Sequence, residues 1–414
     1  MISSDSNRVV VTGMGIVSPC GIGVDSYWDA LINCKSGIGP ITRFDASDFP
    51  VKIAGEVKNF DMRDYFGPKC RPHRYSLQTQ FGLVACQQAL NQAGLTPEML
   101  KKEEVVPVVM GVASSATHLV EDGIKVMNQR SPAKTPMTVR SIPPAATAGA
   151  ISQVFGFQIS ATTISDCCPS GLDAVNEAAR MIRDGRTDLV IAGAADSYVT
   201  PITVAGFSAV RLTSSSTDFP PEKISRPFDL HRTGAVFSEG SGFLVLERLD
   251  SALARGATPL MEIASGARFT DSLGSEELEG MSKSMKSAIK NAGIYPEQVD
   301  YICADAASQP TFDLFETNMI KKAFGAQAYK TPISSIRGVM GHALASSSLM
   351  QLITCALAIN NKLIPPTANL TCPDPLCDLD YVPLTPRRAT INTAIINSRG
   401  MTKENSTLVV RRIL

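Results

Sequence analysis

Short runs of β-branched and small apolar residues alternate along this chain with longer stretches in which apolar positions recur every three to four residues. Val9 to Val11, Val105 to Val109, Thr162 to Ser165 and Leu189 to Ala192 predict strands buried in near-continuous apolar runs. Ser76 to Ala93 predicts a helix, with Phe81, Leu83, Val84, Ala89 and Leu90 on one face. The second half repeats the idea. Gly242 to Leu246, Tyr301 to Ala304, Thr393 to Ile396 and Thr407 to Val410 predict strands, and Gly280 to Ala292 predicts a helix ended by Gly293. Such alternation defines an α/β protein in which helices cover sheets. No low-complexity segment or linker separates independent domains, so two intimately packed halves are expected, residues 1–250 and 251–414.

Composition sharpens this picture mainly by exclusion. At 414 residues and 44% hydrophobic, the chain can bury a large core. Lysine plus arginine and aspartate plus glutamate each number 39, which gives no general electrostatic case for nucleic acid or an anionic membrane. No apolar run reaches the ~20 residues needed to span a bilayer. The polar start Met1-Ile2-Ser3-Ser4-Asp5-Ser6 lacks a signal-peptide apolar region. Ten scattered cysteines are not a disulfide framework, and the Cys372–Cys377 stretch around Pro373-Asp374-Pro375 reads as a loop rather than a metal site. The expectations are therefore a reducing cytoplasm, no metal and no cofactor. Gly13-Met14-Gly15 after a strand suggests a dinucleotide-binding turn, but Ser18 occupies the third glycine position and Pro19 follows.

The densest chemistry is Cys167-Cys168-Pro169-Ser170-Gly171, which follows Ala161-Thr162-Thr163-Ile164-Ser165-Asp166 and opens a helical stretch from Leu172 to Ile182. A cysteine between a strand and a helix N-terminus meets the positive end of the helix dipole. That placement favours the thiolate and suits an acyl-accepting nucleophile.

Further segments give this pentapeptide a context. They are Val10-Val11-Thr12-Gly13-Met14-Gly15-Ile16-Val17-Ser18-Pro19, Arg226-Pro227-Phe228-Asp229 with Arg232-Thr233-Gly234, Ser238 to Glu247, and Ser334-Ser335-Ile336-Arg337-Gly338-Val339-Met340-Gly341-His342. With these motifs in order, the chain resembles the β-ketoacyl synthase (condensing enzyme) family from about Val9 to Ile413. The resemblance implies a thiolase-type duplicated fold, layered αβαβα, with two sheets sandwiching buried helices. It places Cys168 at the nucleophile position and His342 at the second catalytic histidine, a neutral imidazole that would donate to a thioester oxygen. Acyl chains would arrive on the phosphopantetheine of an acyl carrier protein.

The same resemblance marks departures. Elongating relatives carry a His-Gly-Thr-type motif whose histidine helps decarboxylate a malonyl thioester; Asp305 of Ala304-Asp305-Ala306-Ala307-Ser308-Gln309-Pro310 falls there. An ionised carboxylate would repel a developing enolate, and losing one stabilising donor typically costs ~10²–10³ in rate. Arg337 replaces the usual lysine and is expected to form a structural ion pair with Glu239. Asp229 and Arg232 are expected to hold loops. The C-terminal loop reads Asn397-Ser398-Arg399-Gly400-Met401-Thr402-Lys403-Glu404-Asn405, with Arg399 and Met401 where the family has phenylalanines. A cation there argues against an apolar acyl pocket. These losses point to a chain-length factor, the non-elongating partner of an active ketosynthase in a type II polyketide synthase heterodimer. The alternatives are a freestanding acyl-transferring protein or an unorthodox active synthase, both using Cys168. The resemblance assigns tunnel-shaping positions to Ser114, His118, Met137 and Thr138.

Overall fold

The computed structural model describes residues 8–114, 116–128, 136–272 and 278–413, leaving aside the side chains of 136–138. Among the described residues, ten strands run side by side through the large sheet, and the short strand Gly21–Ile22 adds to it beside the first. In the first half they are β1 (Val9–Ser18), β2 (Val106–Gly111), β3 (Ile159–Ile164), β4 (Leu189–Ser197) and β5 (Glu239–Arg248). In the second they are β6 (Met261–Thr270), β7 (Tyr301–Cys303), β8 (Ile333–Ser334), β9 (Thr393–Arg399) and β10 (Glu404–Arg411).

Their pairing exposes an internal duplication. In spatial order the first half runs β1-β5-β4-β2-β3, and the second runs β6-β10-β9-β7-β8. In each, the first two pairings are antiparallel and the last two parallel. The halves meet where Val10 and Val11 of β1 pair with Glu262 and Met261 of β6, so hydrogen bonding runs continuously from one half-sheet to the other.

Helices α1 (Leu77–Ala93) and α2 (Ala146–Phe155) cover the outer face of the first half. Helices α3 (Ser170–Arg183) and α6 (Ala345–Asn361) lie between the half-sheets, and α4 (Gly280–Asn291) and α5 (Pro310–Phe324) cover the outer face of the second. The period-two alternation of strands builds these layers. Val190, Ala192 and Ala194 of β4 face the central helices while Ile191 and Ala195 face α1; Ala394 and Ile396 of β9 face the centre while Ile395 faces α4 and α5. This is the expected layered αβαβα fold.

Two close approaches explain glycines that local propensity would disfavour. A Cβ on Gly13 or Gly15 would fall 2.0 or 1.9 Å from the carbonyl oxygens of Ala89 and Ala85. These glycines let α1 lie against β1, where Gln92 and Gln88 accept hydrogen bonds from the Met14 and Ile16 amides. The Gly-Met-Gly motif is thus a packing device. At Gly171 a Cβ would sit 2.4 Å from the Ala345 oxygen, so the two central helices touch backbone to backbone at the start of α3.

Candidate active site

The parallel strands of both halves aim their carboxyl ends at one place. Cys167 and Cys168 follow β3, Asp305 follows β7, Arg337 lies just beyond β8, and Arg399 ends β9. Ligands in α/β sheets characteristically bind at such ends. A cavity of about 420 Å³ opens here, lined by Cys168, Asp305, His342, Arg399, Gly400 and Met401 together with Leu212, Phe237, Phe312, Phe315 and Leu344. The sequence-predicted Cys168, Asp305 and His342 therefore come together.

Asp305 is buried and held on both carboxylate oxygens. Arg337, itself buried, bonds its Oδ1 through one guanidinium nitrogen and the Asp305 carbonyl oxygen through Nε at 3.0 Å. The Arg399 amide donates to Oδ2 at 2.9 Å. Gln351 accepts from Arg337 at 3.2 Å and donates to the carbonyls of Cys303, Ala304 and Asn397. Behind Asp305, Glu316 accepts the amides of Asp305 and Ala306 at 3.1 and 2.8 Å. Burial, with the Asp305 charge second, pushes the Glu316 carboxyl up to about 8.

The expected Glu239–Arg337 pair does not form. Glu239, buried at the start of β5, bonds Arg43, the Val57 amide at 2.9 Å and the Ser197 hydroxyl at 2.9 Å. Arg337 turns instead to Asp305, so the two buried charges satisfy each other. Nothing local to Arg43, 196 residues from Glu239, marks it as that partner. Arg399 also departs from expectation. It pairs with Asp271 at 2.7 Å, bonds Asn405 and lies over the Phe315 ring at 4.5 Å, so its own charge is matched by Asp271 and the wall remains largely apolar. Asp229 does tie loops together, accepting from Arg226, His231, Thr371 and Cys372. Arg232 does the same, bridging to Asp374 and to the Pro310 carbonyl.

His342 lines the cavity with Nδ1 3.2 Å from the Ser347 hydroxyl. Burial, then Arg337, holds its pKa well below the ordinary imidazole range, so the ring is neutral. The cysteine pair reverses the expected activation. Cys168 is only 3% exposed, and its Sγ is 3.9 Å from that of Cys167. A hydrogen bond with Cys167 and burial raise the Cys168 pKa well above the ordinary thiol value, and the Cys167 and Asp305 charges add to this. The Cys168 hydrogen bond, outweighing burial, lowers Cys167 to about 6, with the Met401 amide also donating to its sulfur. The two thiols are thus shifted in opposite directions, Cys167 down and Cys168 up.

Of the tunnel positions, Ser114 lies beside Thr117 at 3.3 Å and bonds Tyr198, which packs against the apolar cluster around Cys168. His118 is not in the cavity wall; its Nε2 accepts the Leu77 amide at 3.4 Å at the start of α1. Met137 and Thr138 fall on helix Pro136–Ser141, with side chains outside the described residues.

The duplicated fold and the cysteine–histidine cavity at its strand ends define a condensing-enzyme body, and this chain belongs to the β-ketoacyl synthase family. Residues 6–252 match the Beta-ketoacyl synthase, N-terminal domain, and residues 261–371 the C-terminal domain. Among curated relatives, 3-oxoacyl-[acyl-carrier-protein] synthase 2 of Synechocystis sp. is 35% identical over 421 residues, covering 100% of both chains. The putative polyketide beta-ketoacyl synthase 1 of Streptomyces cyaneus is 39% identical over 396 residues, covering 92% of each. Among solved structures, a type II polyketide synthase acyl-carrier protein in complex with its ketosynthase bound to the hexaketide matches at TM-score 0.88 and 30% identity, over 99% of this chain and 100% of that one. The ishigamide ketosynthase/chain length factor matches at TM-score 0.90 and 28% identity, again over 99% and 100%. The fold is the thiolase-like ketosynthase fold.

Proposed function

We propose that this chain is a non-elongating, chain-length-factor-type subunit that pairs with an active ketosynthase in type II polyketide biosynthesis, in the reducing cytoplasm. One observation carries the reading. Asp305, which the resemblance sets where elongating relatives carry a histidine, is a buried carboxylate ion-paired with Arg337 and locked by the Arg399 amide. Such a group supplies no hydrogen-bond donor to an enolate formed by loss of carbon dioxide, and its charge opposes one.

A partner surface supports the same reading. On helix Thr117–Asn128, Ile124 and Met127 are 52% and 61% exposed, and Ile202 on the neighbouring helix Pro201–Ala209 is 62% exposed. Glu121 joins the two helices by accepting from the Ile202 amide at 2.8 Å and the Thr200 hydroxyl at 3.0 Å. Exposed apolar side chains on two helices tied together in this way suit an interaction site. The partner would be the active ketosynthase, with acyl chains carried on the phosphopantetheine of an acyl carrier protein and Ser114 near the shared channel.

A second reading is favoured by Cys168 itself, which faces an apolar-walled cavity beside a neutral His342. A protein that accepts an acyl chain and passes it on would need that arrangement. Cys168→Ala in complex with the active partner distinguishes the two. The first reading expects nearly unchanged product; abolished turnover with the complex intact supports the second.

A further inference from the structure

The cavity runs from a buried floor, where Cys168 is 3% exposed, to an open rim, where Met401 is 52% exposed. Three charged side chains line it, Asp305, Arg399 and Lys403. Two of them are matched, Asp305 by Arg337 and Arg399 by Asp271. Lys403 is not. Among the described residues its ammonium has neither an ion pair nor a hydrogen-bond acceptor, and His342 is neutral, so the lining carries one uncompensated positive charge.

The backbone at Lys403 is also unusual. Its φ is 72°, in the left-handed region that favours glycine, at the turn joining β9 to β10. Three hydrogen bonds hold it there. Its amide donates to the Gly400 carbonyl at 3.1 Å, and its own carbonyl accepts from the Asp271 amide at 3.1 Å and from the Asn405 side chain at 2.8 Å. Glu404, the next residue, turns its carboxylate to the Thr402 hydroxyl and against Gly400. The ammonium thus sits on a fixed turn, where lysine is strained and glycine would not be, a condition that clusters at ligand-binding positions.

An unmatched ammonium at the rim of an apolar-walled cavity suits a ligand whose anion stays outside while its uncharged part enters. A phosphopantetheine arm has that pattern, with amides and a sulfur at one end and a phosphate at the other. We propose that Lys403 receives the phosphate of the carrier's arm at the cavity rim, while the sulfur end lies towards Cys168 and His342. Lys403 is then a specificity-determining residue that separates a phosphorylated arm from an uncharged one. The inference rests on the reading that acyl chains arrive on such an arm, and it is independent of whether the chain elongates.

The test uses the whole chain with 4′-phosphopantetheine and pantetheine, both kept reduced, titrated by ligand-detected NMR. In about 50 mM salt the phosphorylated probe should bind about fivefold more tightly, the order that one exposed ion pair supplies, and the preference should shrink in about 500 mM salt. Lys403→Gln should reduce the preference below twofold and leave the affinity for pantetheine unchanged, and Lys403→Arg should keep the preference. Lys403→Gly should also lose it while melting no lower than the native chain, since glycine suits the turn. Equal binding of the two probes, or a preference that survives in Lys403→Gln, overturns the role of Lys403. Binding of neither probe overturns the underlying arm reading as well. Coenzyme A, which carries the same arm on a nucleotide, should bind less than tenfold more tightly than 4′-phosphopantetheine; a larger gain would assign the rim to a free coenzyme and overturn the carrier as its source.

Discussion

Arg337 and Asp305, 32 residues apart in sequence, form a buried ion pair in which the guanidinium holds both the side chain and the main-chain carbonyl of its partner. Each satisfies the other's charge inside the protein. A buried pair gives weak evidence for net stabilisation, but removing one member strands a charge. Arg337→Met should therefore destabilise the chain by ~3–5 kcal/mol in urea unfolding. The double variant Asp305→Leu/Arg337→Met should recover most of that loss. Additive losses in the double variant would mean that the two residues act independently.

Glu316 gives a pH dependence with a defined sign. Its carboxyl rises from 4.5 to about 8 on folding, chiefly through burial. The folded state thus keeps a proton that the unfolded chain has released. This stabilising contribution is complete below pH 4.5 and is lost as pH rises through about 8. Glu316→Gln should cost stability at pH 5, because an amide group would face the Ala306 or Asp305 N–H. The deficit should shrink steadily by pH 9. Denaturation of both proteins across that range checks the trend; a deficit that grows with pH contradicts the assignment.

The apolar surface around Ile124 and Ile202 gives a test of partnership. Ile124→Glu combined with Ile202→Arg should leave the melting temperature of the isolated chain within a few degrees, since both side chains are exposed. Co-purification with the active ketosynthase should fall at least tenfold. Retained co-purification places the interface elsewhere. Ser114→Phe in the intact complex should shorten the released chains by one or more two-carbon units, because an acyl chain cannot pass a packed wall. Mass spectrometry of the products reads this directly.

Much of the layering was legible in the sequence because strands buried on both faces are apolar in nearly every position. Val9–Val11, Tyr301 to Ala304 and Thr407 to Val410 announce themselves, and all three lie within or beside observed strands. Strand Met261–Thr270 does not, since its burial fades along its length and Arg268 lies among its outer residues. Helix Ala345–Asn361 also lacks a clear face. It is buried on almost every side, so its serines, threonine and alanines carry no amphipathic period. Cys168, Asp305 and His342 were legible because motif residues mark them. The pairing of charges was not. Arg337 could have met Glu239 or Asp305 by residue type alone, and only the strand ends decide which carboxylate lies within reach.

The claim that this chain does not elongate is tested most directly by giving it, alone, malonyl carrier protein and an acyl-primed carrier, and following carbon dioxide release and condensation product together. The Asp305 carboxylate predicts neither above background, with a rate at least 10²–10³ below that of an elongating relative assayed alongside. Decarboxylation and condensation at a rate comparable with that relative would contradict it.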